Sequence, residues 1–284
     1  RPRALCAATP NWLGTAHIPR LLKQAGYQVT LLAHPRSYAA KSSSLERLLP
    51  ASWDPAVNVE ILRKHMAGKT PAYDWVLLAD DPTLMEALRR RGEPWTAACL
   101  PVDPSGLGAE LLTSKATLME EALKRELPIP PSRSAASRNA LGEAAGSLGF
   151  PVIVKPVQGS GGRGNFIARS ADELRESARA IGESAFLVQR LIPGQLGSTV
   201  VLFDHGTPRA WLSSYKRKLF PEPHGPSSAR QRVHLPGMED AVQETVSHIA
   251  RPLSLGIRLM ANMTADHMVL TIFTGLVPFI VPIP

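Results

Sequence analysis

Pro151-Val-Ile-Val-Lys-Pro-Val-Gln-Gly-Ser-Gly-Gly-Arg-Gly-Asn165 decides how this chain is read. It opens as a strand: Val152, Ile153 and Val154 are β-branched, and Pro151 sits at the first position, where a strand tolerates proline. Lys155 ends the apolar run. Then Gly159, Gly161, Gly162 and Gly164 crowd into a short loop. Asn165-Phe-Ile-Ala-Arg169 reads as a second strand, and only after it does Ser170-Ala-Asp-Glu173 supply a capping box for a helix. The glycines therefore lie in a strand–loop–strand flap.

That order separates the flap from two familiar patterns. Gly159, Gly161 and Gly164 satisfy G-x-G-x-x-G, but a dinucleotide fingerprint opens directly into a helix. A kinase flap carries its lysine on the strand after the loop, whereas Lys155 comes before it. The physics still favours phosphate. Glycines let backbone N–H groups turn toward an anion and approach it closely. An ammonium at the end of an apolar strand is costly unless an anion satisfies it. The plain alternative is a flexible hairpin with a solvent-facing lysine.

Upstream, Ser114–Glu126 reads as a helix ended by Pro128-Ile-Pro-Pro131, and a second helix covers about Ala140–Leu148, with Gly149 placed to end it. Lys115 falls in the first turn, where a cation opposes the helix dipole. It is either a surface accident or, with the helix N-terminus, part of an anion seat. The first third alternates apolar runs and helical stretches: Arg3–Ala8, a helix ending at Gly26, Gln28–Leu32, Trp75–Ala79 and Pro82–Arg91. This rhythm predicts a parallel sheet covered by helices. Ligands on such sheets sit at the carboxyl ends of the strands, so Thr9–Thr15 and Asp80–Thr83 are candidate rims. Pro101–Gly108 marks a boundary.

Composition narrows the classes. The 284 residues suffice for about two domains. Two cysteines make no disulfide framework, so a reducing, cytoplasmic setting is expected. The net charge of +8 is spread along the chain, and its densest cluster, Arg89–Arg91, ends a predicted helix without interleaved aromatics. No nucleic-acid partner is expected. Met268–Pro284 is nearly continuous apolar sequence, but Pro278, Pro282 and Pro284 and its length speak against a span of about 20 residues, so no membrane partner is expected.

An ordered series of motifs resembles the ATP-grasp superfamily, and within it the ATP-dependent carboxylate–amine ligases. The series is Ser114-Lys115, Leu127-Pro-Ile-Pro-Pro131, Leu148-Gly-Phe-Pro-Val-Ile-Val-Lys-Pro156, the flap, and Phe186-Leu-Val-Gln-Arg-Leu-Ile-Pro-Gly194. It covers most of the chain to about residue 240. The resemblance implies an α/β and α+β architecture: a parallel-sheet pre-ATP-grasp domain at 1–108, a small lobe with the glycine-rich flap at 109–188, and a large lobe at 189–284, truncated or altered after about 250. It implies ATP as cofactor. Lys115 and Lys155 would hold its phosphates, and a loop with Ser160, Gly161, Gly162 and Gly164 would close over them. Gln189, Arg190 and Ile192 would border adenine, and Gln195 would stand where a ribose-binding glutamate is common. Arg217, in the basic run Tyr215-Lys-Arg-Lys218, would be the catalytic cation stabilising the transferring phosphoryl group; a solvated basic face is the alternative. Small-molecule carboxylate and amine substrates would be the partners, and a homodimer is left open.

The series breaks at its end. The family holds Mg²⁺ between a glutamate and a Glu-x-Asn on late strands, oxygen ligands that a hard cation requires. Here Leu270-Thr-Ile-Phe-Thr274 stands in their place, and after Arg251 the one carboxylate is Asp266. The metal ligands are therefore not found. A shifted reading frame or truncated gene best accounts for this. The rivals are a non-catalytic nucleotide-binding pseudoenzyme, or ligands drawn from Glu222, Glu239 or Asp240.

Overall fold

In the computed structural model the described residues are 1–67, 73–101, 104–127, 129–158, 162, 164–204, 207–220, 222, 227–234 and 240. They divide into two units, Arg1–Ala109 with Val200–Leu212, and Glu110–Thr199 with Ser213 onward.

The first unit begins β1 (Arg3–Ala8), α1 (Ile18–Gln24), β2 (Gln28–Ala33), β3 (Arg47–Pro50), α2 (Pro55–Met66), β4 (Trp75–Leu78) and α3 (Asp81–Arg89). These four strands pair in parallel, in the order β3-β2-β1-β4. Leu5, Cys6 and Ala7 are fully buried in succession, as expected of a central strand covered on both faces. On one face Ala4, Cys6, Val29 and Leu31 pack with Ile18 and Leu22 of α1. The run Arg47–Pro50 and the helix after it were not anticipated. The strand is short and has a charged start, while the helix carries a readable start signal: Asp54 accepts from the Ala56 N–H, and Pro55 opens the helix.

The chain proceeds outward from β1 to β3, then crosses to β4 on the other side of β1. That reversal places the sheet's crevice between the ends of β1 and β4, where both predicted rims meet. The protein's own groups fill it. The Asp80 carboxylate accepts from the Thr9 N–H at 2.8 Å and from the Thr83 N–H at 2.8 Å. The Thr9 and Thr83 hydroxyls lie 2.8 Å apart, and Asn58 Nδ2 donates to Thr9 Oγ1 at 2.9 Å.

After α4 (Leu107–Leu111), the second unit contains α5 (Lys115–Lys124), β5 (Ser132–Ala135), α6 (Leu141–Leu148), β6 (Val152–Pro156), β7 (Phe166–Ala168), α7 (Ala171–Arg179) and β8 (Phe186–Arg190). Its sheet is antiparallel, in the order β5-β8-β6-β7. Strand alternation sends Val152, Val154, Phe186, Val188 and Ala168 into one core with Leu141, Leu148 and Leu174 of α6 and α7. The intervening residues, Lys155 and Gln189 among them, take the other face. Gly149 ends α6 at φ +74, a conformation that glycine adopts without strain. Ser170 caps α7 by accepting from the Glu173 N–H, while the Glu173 carboxylate reaches back to the Arg169 N–H. β9 (Gly197–Asp204), β10 (Thr207–Leu219) and β11 (Ser227–Val233) form a further sheet in the order β11-β10-β9.

Candidate functional site

The glycine-rich loop departs from β6 just after Lys155, and the lysine points away from the α6–α7 core. Lys155 pairs with Leu187 in the strand register, so Gln189 lies diagonally across on the same face. Lys155 Nζ donates to Gln189 Oε1 at 2.7 Å. Gln189 is buried, and its Nε2 donates to Ser132 Oγ at 2.8 Å and points to Met119 Sδ at 3.4 Å. The amide thus fixes the lysine without neutralising it.

Lys115 opens α5 behind its Ser114 cap. Its backbone N–H donates to the Val157 carbonyl at 3.1 Å and its Nζ to the Pro156 carbonyl at 3.2 Å, which ties the helix start to the end of β6. Burial, then the charges of Lys115 and Lys216, push the Lys155 ammonium below the ordinary lysine range. Lys216 is lowered in turn by burial and by Arg230, and Arg230 is lowered by burial. Lys115, Lys155, Lys216 and Arg230 therefore form a partly buried row of cations, each lysine felt by its neighbour. Such a row is unfavourable by itself and is stabilised by a polyanion.

Lys216 stands directly opposite Arg230 in the antiparallel β10–β11 register. Like charges so placed are destabilising. Arg230 Nη1 donates to Ser198 Oγ at 3.1 Å and to Ser214 Oγ at 3.5 Å. Its Nε and Nη2 are buried without a hydrogen-bond partner among the described residues. This orphaned edge carries the paired N–H donors that an oxyanion such as phosphate would accept.

The structure places Arg217 elsewhere. The register shifts between Lys216 and Lys218, and Arg217, at that bulge, turns to the opposite face, exposed, where its Nε donates to Gln231 Oε1 at 2.7 Å. The cation that faces Lys155 is Lys216, which sequence reasoning placed in the basic run without singling it out. Strand alternation would have separated the neighbours had the bulge and the register been known. Arg230 gave no signal in sequence.

Arg190 is also used otherwise than by touching a base. Its Nε and Nη2 donate to the Leu148 carbonyl at 3.2 and 2.7 Å and close the end of α6. The N–H groups of Arg190 and Leu191 go to the carbonyls of Pro131 and Pro151. Ile192 is 57% exposed, an apolar side chain available for a flat ligand, and Gln195 is exposed beside it. In the flap Gly162 and Gly164 both adopt φ +74, and a Cβ on Gly164 would come within 2.9 Å of the Pro156 ring. Ser160 and Gly161 lie outside the described residues, as do Glu239 and Asp266. Glu222 and Asp240 are exposed, and among the described residues no group of His, Cys, Asp or Glu side chains could hold a metal ion. Nor is any helix among them long and apolar enough to cross a membrane.

Comparison with known proteins gives two findings. Residues 120–206 match the ATP-grasp domain family. The carbamoyl phosphate synthase large chain of Pyrococcus furiosus is 40% identical over 90 residues, which is 27% of this chain and 8% of that one. An N5-carboxyaminoimidazole ribonucleotide synthetase solved with ADP superposes with a TM-score of 0.62 at 17% identity, covering 89% of this chain and 64% of that one. Residues 238–283, in contrast, match the ATP synthase A chain family. ATP synthase subunit a 1 of Pelobacter propionicus is 54% identical over 41 residues, 14% of this chain and 18% of that protein. The tail matches a different family from the one whose late strands were expected there. The chain thus spans only part of each of these relatives. It resembles the ATP-grasp superfamily and has its fold, with residues 120–206 matching the ATP-grasp domain and residues 238–283 matching the ATP synthase A chain.

Proposed function

We propose that this chain binds ATP along the Lys115–Lys155–Lys216 row and serves an ATP-dependent ligase reaction. In it a small-molecule carboxylate is activated as an acyl phosphate and captured by an amine. The observation that carries the binding half is the lysine row itself: partly buried ammonium groups, one fixed by the neutral Gln189, with depressed pKa values that a polyphosphate would restore. The ligase half rests on resemblance, supported by the ATP-grasp match at 120–206.

Each residue has a task in this reading. Lys115 and Lys155 neutralise inner phosphate oxygens, and Lys216 continues the charge toward the transferring group, the role that Arg217 is turned away from. Gln189 orients Lys155. Ile192 packs on the adenine face, and because the Arg190 and Leu191 N–H groups are committed, the base edge is read from Ile192 onward. Gln195 offers an amide to a ribose hydroxyl. The flap at Gly162 and Gly164 brings backbone close to the phosphates without side-chain obstruction. ATP, when bound, supplies the phosphoryl group. The described carboxylates assemble no seat for Mg²⁺, and no step is assigned to a metal.

Calorimetry with ATP tests the assignment. Lys155→Ala is expected to weaken binding by roughly 10- to 100-fold, the worth of a charge-assisted contact. Unchanged affinity would remove Lys155 from the site. Titration with and without Mg²⁺ separates the ligase from a non-catalytic nucleotide-binding protein: binding that strengthens with Mg²⁺ favours catalysis, and indifference favours the second reading.

A further inference from the structure

Arg230 is hydrogen-bonded on one side and buried but unpaired on the other. Ser198 and Ser214 take Nη1, which orients the guanidinium plane, while Nε and Nη2 stay buried and unpartnered. Nε and Nη2 form the edge of arginine whose parallel N–H groups match the two oxygens of a carboxylate or phosphoryl group. A buried charged donor without a partner is costly, and fixing its plane with hydroxyls serves no evident packing purpose. Position along the row adds to this. Lys115 and Lys216 both act on Lys155, and Arg230 acts on Lys216, so Arg230 closes the end of the row away from Lys115.

We propose that the Nε/Nη2 edge of Arg230 is the bidentate seat for the terminal oxyanion of the reaction, either the outermost phosphoryl group of the nucleotide or the carboxylate that attacks it. This rests on reading the lysine row as the phosphate site. Lysine could not replace Arg230 here, because a point charge lacks the planar pair of donors.

The test uses the full chain with ATP, ADP and acetate as probes. Arg230→Lys keeps the charge and loses the fork, and Arg230→Gln loses both. If the seat holds the outermost phosphoryl group, Arg230→Lys weakens ATP by about tenfold and leaves ADP at its wild-type affinity. If it holds the carboxylate, ATP and ADP are unchanged, and saturable thermal stabilisation by acetate, present in the wild type, is lost. Wild-type behaviour toward all probes, or equal losses for ATP and ADP, overturns the proposal. Should circular dichroism show either variant misfolded, Ser214→Ala, which frees one side of the guanidinium, is expected to give a weaker form of the same pattern, and an unchanged pattern again overturns it. Failure of the underlying reading is seen separately, as Lys155→Ala binding ADP and ATP like the wild type.

Discussion

Lys155 carries its charge where burial and two neighbouring lysines disfavour it. Its native pKa lies below the ordinary lysine value of about 10.4, so between the two values the unfolded chain binds a proton that the folded chain has released. Stability must rise with pH through that window. Without anions, the melting temperature of the second unit is expected to increase as pH climbs toward about 10, in a thermal melt followed by circular dichroism. Lys155→Met should flatten the rise, and so should saturating inorganic phosphate, which keeps the ammonium charged. A fall in stability across the window would show that the lysine is not disfavoured. The cysteines behave oppositely. Burial pushes the Cys99 thiol up to about 12 and Cys6 higher still, with exposures of 4% and 0%. Neither should react appreciably with a colorimetric thiol reagent in the folded protein, and both should react in denaturant.

At the level of elements, the small sheet of the second unit depends on one aromatic residue. Phe186 is 1% exposed, begins β8 and joins the core shared by α6 and α7. Phe186→Ala is expected to cost about 3–5 kcal/mol in urea unfolding, enough to undo much of a small unit's stability. Gly149→Ala asks a side chain to adopt φ +74 and should cost of order 1 kcal/mol or more. Most such elements were legible. Proline, apolar runs and capping residues marked β6, α5 and α6 to within a residue or two. What escaped were features that need a partner strand to define them. Arg47–Pro50 is a strand because β2 offers it an edge. Lys216 rather than Arg217 faces Lys155 because a bulge in the β10–β11 ladder sets the direction of each. No spacing within one segment encodes either fact.

Along the whole chain, two stretches match two different families. The change in composition near Arg251 was visible, but its nature was not, because loss of Glu and Lys alone does not distinguish a damaged end from a segment of different ancestry. Every residue assigned here to phosphate lies before residue 238, where the second match begins. A chain ending at His234 is therefore expected to bind ATP within about twofold of the full chain, less than the tenfold that 1.4 kcal/mol represents, and a larger loss by calorimetry would implicate the tail in the site. The net charge of +8 adds long-range attraction for anions, so ATP association should slow as ionic strength rises from low salt.

One contact in the first unit bears on where that attraction leads. Asp80 holds the amides of Thr9 and Thr83 at the crevice where a sheet of this strand order would receive a phosphate. A carboxylate tethered there competes intramolecularly with any free anion for the same two amides. An anion drawn in by the chain's positive charge would have to evict a side chain that cannot diffuse away before it could use those two amides.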